Sequence, residues 1–209
     1  MASPGELISA MAATLGLSEA TIFQFDRQLA EAGLRSKSGR GRSAARVTAN
    51  DAANLLIAIA ATPLSGAGPK DAAFTCATFG ALPVQTAPPS SEVFAQLGLP
   101  CLTGLPQRHN AITALTTLIA GTVQGEEFGI PVEGKLTRLD AKFAVEFLGP
   151  EPRMHLVGDA TLGEPGHGPF ARLMYFRRME QKHASTESDL AQQRMVTFRT
   201  IRAVANAIR

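Results

Sequence analysis

The sequence predicts an α+β protein, with a helical N-terminal third followed by a mixed helical and β half that holds a short antiparallel sheet and a terminal helix. Three observations carry that expectation. Two capped helical segments meet at Gly16, and a run of arginine and glycine separates them from a third capped helix. Beyond Leu136 the apolar spacing changes from helical to alternating, which marks strands.

The first helix starts at Ser3-Pro4-Gly5-Glu6, where a hydroxyl can cap, proline fits the first turn and glutamate can close a capping box. It should run to about Leu15 with Leu7, Ile8, Met11 and Leu15 on one face. Gly16 tolerates the positive φ of a tight turn. Ser18 then caps a second helix that ends near Ala32, before Gly33. Ala12 is small where the two helices cross, and Leu17, Ile22 and Phe25 have the spacing to pack back onto Met11 and Leu15. A helix-turn-helix needs those residue types there, because two short helices cross steeply with little room between them. Ser18, Thr21, Gln24 and Arg27 lie outside this packing face, and Gln and Arg are side chains able to read adenine and guanine edges.

Gly33 to Asp51 follows, carrying Arg35, Lys37, Arg40, Arg42 and Arg46 with no carboxylate before Asp51. Gly39 and Gly41 alternate with the basic residues, so this backbone can approach another surface closely. Thr48 and Asp51 begin a third helix, Ala49 to about Ala61. The order of helix, turn, helix, basic ribbon-like loop and helix is that of a winged helix-turn-helix, with the basic run as a wing that grips a phosphate backbone.

Between Glu6 and Ala61 the chain resembles the MerR-like winged-helix family. The resemblance rests on the helix-turn-helix, Gly33-Leu34 at the end of the second helix, the arginine and glycine wing through Arg46, and Thr48 to Ile57 with Asp51 and Leu55. It implies a recognition helix in the major groove, with Gln24 and Arg27 facing bases, and a wing whose Arg35, Lys37, Arg40 and Arg42 meet phosphates. Paired tyrosines common in that family are replaced here by the nearby Phe23 and Phe25, and no metal-binding cysteine cluster follows. Winged domains of this kind also occur in excisionases and in small terminase subunits of phages.

Thr62 to Pro69 is rich in Pro, Gly and Ser and reads as a linker, so the expected division is a DNA-binding domain over 1–62, a linker over 63–69 and an α+β domain over 70–209. In that second domain, Asp71 to Gly80 should form a short helix, and Ser91 should cap another from Glu92 to Leu97. Asn110 should start a stronger helix through about Val123, with Ile112, Leu115, Leu118 and Ile119 at helical spacing. Lys142 to Leu148 and Arg153 to Leu162 flank the turn Gly149-Pro150-Glu151-Pro152 and predict a hairpin. Phe170 to Arg177 should add a third strand, and Asp189 to Ala207 a terminal helix with Phe198, Ile201, Val204, Ala205 and Ile208 on one stripe.

The composition, 45% hydrophobic and 18% charged, excludes wholesale disorder, and the formal charge of +2 is too small to imply nucleic acid without the local clustering above. Met1 to Gly5 lacks a secretory leader's features, and the apolar run Ala52 to Ala61 is about half of the ~20 residues a membrane span needs. A soluble, cytoplasmic protein without a membrane partner is expected. Cys76 and Cys101 are far apart and predict apolar thiols rather than a disulfide framework or zinc site. His109, His155, His167 and His183 lack metal-ligand spacing, Glu126-Glu127 reads as a solvated pair, and Gly163 to Pro169 lacks a P-loop's Lys-Ser/Thr. No catalytic residue, metal or cofactor is therefore expected. The reading is a sequence-specific regulator of transcription, of phage or prophage type, bound to double-stranded DNA as a homodimer and able to contact transcription machinery. The alternative is the DNA-recognition subunit of a phage packaging machine, resembling a small terminase.

Overall fold

A computed structural model describes residues 3–36, 46–63, 68–85, 89–132, 135–137, 141–160, 169–177 and 192–209. Helix α1, Pro4–Leu15, carries the expected capping box: Glu6 N donates to Ser3 Oγ and Ser3 N donates to the Glu6 carboxylate. Gly16 ends it at φ 68°, with Gly16 N and Leu17 N both donating to Ala12 O. Helix α2, Glu19–Glu31, is capped by Ser18, whose hydroxyl accepts from Thr21 N. Met11, Ala12, Ile22 and Phe25 are buried as the spacing requires. Leu17 departs from expectation and is 40% exposed, because the turn through Gly16 points its side chain away from the crossing.

Helix α3, Ala49–Ala61, starts with a second capping box of Thr48 and Asp51. Every residue from Asp51 to Ala60 is buried, so α3 is surrounded on all sides. Helix α2 packs on one side of it, and α4 (Ala72–Gly80) and α6 (Ala111–Val123) on another. Asn110 caps α6 by accepting from Thr113 N at 3.0 Å. Helix α5 spans Pro89–Gln96 and so begins before Ser91, the expected cap; proline's fixed φ suits a first turn. A 3-10 turn, Pro100–Gly104, leads toward α6.

A two-stranded antiparallel ribbon, β1 (Ile130–Val132) and β2 (Lys135–Thr137), was not anticipated. The expected hairpin is β3 (Ala141–Gly149) with β4 (Arg153–Ala160), Val145 opposite Leu156. Strand β5, Phe170–Phe176, pairs with β4. The terminal helix is shorter than predicted. Gln192–Thr197 forms β6, antiparallel to β3, and only Phe198–Ile208 is helical (α7); residues 189–191 lie outside the described residues. Pairing with β3 decides this segment, since Val196 enters the core beside Val145 while Met195 and Thr197 face outward. The sheet thus has four strands, ordered β5-β4-β3-β6, rather than three.

One face of the sheet meets the helices. Val145, Leu156, Leu173 and Val196 form a buried row across all four strands. Gly158 lies close under two buried side chains: a Cβ there would sit 2.8 Å from Leu97 Cδ1 and 3.2 Å from Phe94 Cε1, and both would have to shift. Helix α7 buries Phe198, Ile201, Val204 and Ala205, half-buries Ile208, and packs against α1 and α6. One hydrophobic cluster consequently extends from Leu7 in α1 to Val204 in α7. Among the described residues no helix is long and apolar enough to cross a membrane.

Candidate nucleic-acid interface

The described residues on either side of the basic run are tied to α3. Asp51 sits at the third position of that helix, where its carboxylate reaches both Ser36 and Thr48. Ser36 N donates to Asp51 Oδ1 at 2.7 Å, while Thr48 N and Thr48 Oγ1 each donate to Oδ2 at 2.8 Å. Asp51 N donates back to Thr48 Oγ1 at 3.1 Å. Burial acts to raise the Asp51 carboxyl, but these hydrogen bonds outweigh it and hold the group below the ordinary Asp value. One carboxylate therefore sets how far apart the two ends of the loop stand.

A second set of contacts orients the residues leading into the loop. Asn54, one turn along α3, donates from Nδ2 to Leu34 O at 2.7 Å and accepts at Oδ1 from Cys76 Sγ in α4 at 3.3 Å. Arg35 turns inward, its Nε 2.9 Å from Asp26 Oδ1, with side chains 16% and 8% exposed. Burial raises the Asp26 carboxyl, against the pull of Arg35, and nearby Asp51 adds to the rise. The outer guanidinium nitrogen of Arg35, Nη2, is buried without a partner among the described residues.

The other residues of interest divide clearly. Ser18, Gln24 and Arg27 are exposed on α2, and Thr21 is half-buried with its backbone held by the Ser18 cap. Ala20, Phe23, Gln24, Arg27 and Glu31 form an exposed stripe along that helix, with Phe23 56% exposed. Arg27 Nε lies 2.7 Å from Glu31 Oε1 one turn on. Arg46 is exposed at the far side of the neck. Lys37, Arg40 and Arg42 lie outside the described residues, as do Gly39, Gly41, His167, His183 and most of the Gly163 to Pro169 loop.

Sequence reasoning treated Asp51 as a helix cap and did not single out Asp26 or Asn54. The Thr48-x-x-Asp51 spacing shows the cap, but the second use of the carboxylate, on Ser36, joins residues fifteen positions apart and has no local signature. Glu126 was also misjudged as solvated: its carboxylate accepts from Cys101 N at 3.0 and 3.1 Å, anchoring the 3-10 turn.

Away from α1–α3, several titratable groups have structural partners, while Asp159 Oδ1 is buried without one among the described residues. His109 Nε2 lies 2.9 Å from Tyr175 Oη and its Nδ1 2.6 Å from Pro106 O; since a carbonyl only accepts, Nδ1 carries a proton and donates it there. His155 Nδ1 lies 3.2 Å from Glu146 Oε2 across the β3–β4 pair. Cys76 is buried and its thiol is pushed up to about 12 by that burial; Cys101 is half-buried and raised for the same first reason. A cleft of about 530 Å³ lies between the end of α3, α4 and the β3–β4 turn; among the described residues its charged groups are Asp71 and Arg194, and no His or Cys lines it. Among the described residues no three His, Cys, Asp or Glu side chains converge as a metal ion would need. No family model, no curated protein and no solved structure matches this chain.

Proposed function

We propose that this protein is a sequence-specific double-stranded DNA-binding regulator of the MerR-like winged-helix kind, acting as a homodimer. The observation that carries the reading is the Asp51 clamp. A basic loop whose two ends are held to one carboxylate beside an exposed helix face can project as a wing, which a loosely attached strap could not do. In this reading α2 enters the major groove with Gln24 and Arg27 toward base edges, and Ser18 and Thr21 near its N-terminus. Lys37, Arg40, Arg42 and Arg46 meet phosphates. Arg35, paired to Asp26, orients the wing from inside. One such module makes few base contacts, so two copies on a two-part site supply the selectivity, and the sheet half supplies dimerisation and contact with transcription machinery.

The test is selection of bound sequences from random DNA, followed by titration at several salt concentrations. Arg40→Ala with Arg42→Ala should weaken binding to all sequences and reduce the salt slope by about 2. Gln24→Ala should instead relax preference at particular bases. No enriched sequence in the selection, or a double variant that binds like the native protein at every salt, overturns the reading. Light scattering that finds a closed ring of many subunits would favour the packaging role.

A further inference from the structure

The two edges of the four-stranded sheet are finished differently. Along β5, the Pro83–Gln85 segment supplies partners: Gln85 N donates to Met174 O at 2.8 Å, Phe176 N donates to Pro83 O at 3.3 Å, and Val84 bridges Tyr175. Along β6, among the described residues, no backbone hydrogen bond engages Gln193 to Thr197 on the side away from β3. An open edge is a template for another strand, and proteins that avoid such pairing shorten the strand or place a charge, a proline or a bulge there. This strand, QQRMVT, has no lysine, proline or bulge. Its one charge, Arg194, lies on the helix-facing side and donates from NH1 to Ile59 O at 3.0 Å, capping the end of α3. On the opposite face Gln193, Met195 and Thr197 are exposed, Met195 to 60%.

We propose that β6 pairs antiparallel with β6 of a second copy, about a twofold axis perpendicular to the sheet at Met195. This rests on the dimeric reading above and names its contact surface. The strand is complementary to itself in this register. Met195 meets the partner's Met195, Gln193 stands opposite the partner's Thr197 as amide to hydroxyl, and Arg194 stands opposite the partner's Val196. No like charges oppose each other, whereas placing Arg194 on the axis would set two guanidinium groups face to face. The two sheets become one, with both helical layers on the same side.

Light scattering on the full chain should find a dimer. Met195→Lys sets two ammonium groups opposite one another and should weaken that dimer by about tenfold or more, with circular dichroism unchanged because Met195 is exposed. Disulfide trapping tests the register independently of that variant's folding. Met195→Cys should oxidise to a covalent dimer, Gln193→Cys alone should not, and Gln193→Cys with Thr197→Cys should. The native chain, with Cys76 buried and Cys101 half-buried, is the control. A monomer at every concentration, a dimer indifferent to Met195→Lys, or equal trapping by Gln193→Cys alone overturns the interface. A dimer trapped at Met195 that selects no DNA keeps the interface and removes the regulator reading; a monomer that selects DNA removes the interface and the homodimer but keeps the DNA-binding reading.

Discussion

At the neck of the basic loop, charged and amide side chains do the joining: Asp51 holds Ser36 and Thr48, Asn54 holds Leu34, and Asp26 holds Arg35. Beneath the sheet the joining is apolar. Phe128, Phe143 and Phe198 pack with ring centroids 5.3 to 6.0 Å apart, Phe143 and Phe198 edge to face. Phe94, Leu97 and Leu99 are fully buried beside them. Hydrogen bonds are directional and modest in net stability, so they fix where Ser36 and Thr48 stand more than they add to stability. Apolar burial is strong and indifferent to direction, so it suits a place where a sheet must simply stay down on helices. One region is set by direction, the other by burial.

Phe94→Ala is the strongest way to break that division. Truncating a fully buried aromatic next to Gly158 should cost about 3–5 kcal/mol, read as a shift in the urea midpoint. The neck contacts should survive in whatever fraction stays folded, with the Ser36 and Thr48 amide signals unmoved. A variant that loses those signals while still folded would show that the neck depends on the sheet core.

Asp51→Ala should cost less, about 2 kcal/mol for a lost cap and its charged hydrogen bonds, and should speed hydrogen exchange at Ser36 and Thr48. In the DNA-binding reading it should also weaken binding at low salt with Arg40 and Arg42 intact. The pH dependence has a definite sign. Asp51 is held below the ordinary Asp value when folded, so its stabilisation is complete above the unfolded-state value and fades as pH falls through the folded one. Loss should begin below about pH 4, and Asp51→Asn should remove that part of the acid dependence. Equal acid sensitivity in Asp51→Asn and the native chain would contradict the clamp.

Arg27→Ala should move stability least, by no more than about 0.5 kcal/mol, because its ion pair with Glu31 is exposed on both sides. If the same variant changes which bases are selected, the helix face reads sequence. If it changes neither stability nor selection, that side chain is ordinary surface and the comparison sharpens around Asp51 and the loop alone.

Elements that complete themselves within a few residues were readable in advance. Ser3 with Glu6, Thr48 with Asp51 and Asn110 with Thr113 each close a cap over three positions, and Gly149 to Pro152 is a turn before any partner arrives. The helices and the β3–β4 hairpin follow from such signals. Strand β6 does not. Its residues continue the basic, half-apolar pattern of the helix after them, and only β3, some fifty residues earlier, offers the hydrogen bonds that make a strand cheaper than another helical turn.

The basic run at 35–46 shows the same boundary at the candidate site. Its charge, its glycines and the capped helix after it were present in the sequence alone, because they are matters of composition and local spacing. Tertiary structure decided that Arg35 turns inward to Asp26 and that Asp51 closes the neck. A burial cost of that size is repaid only when a specific opposite charge or a set of amides is already in place, and only the folded chain puts them there.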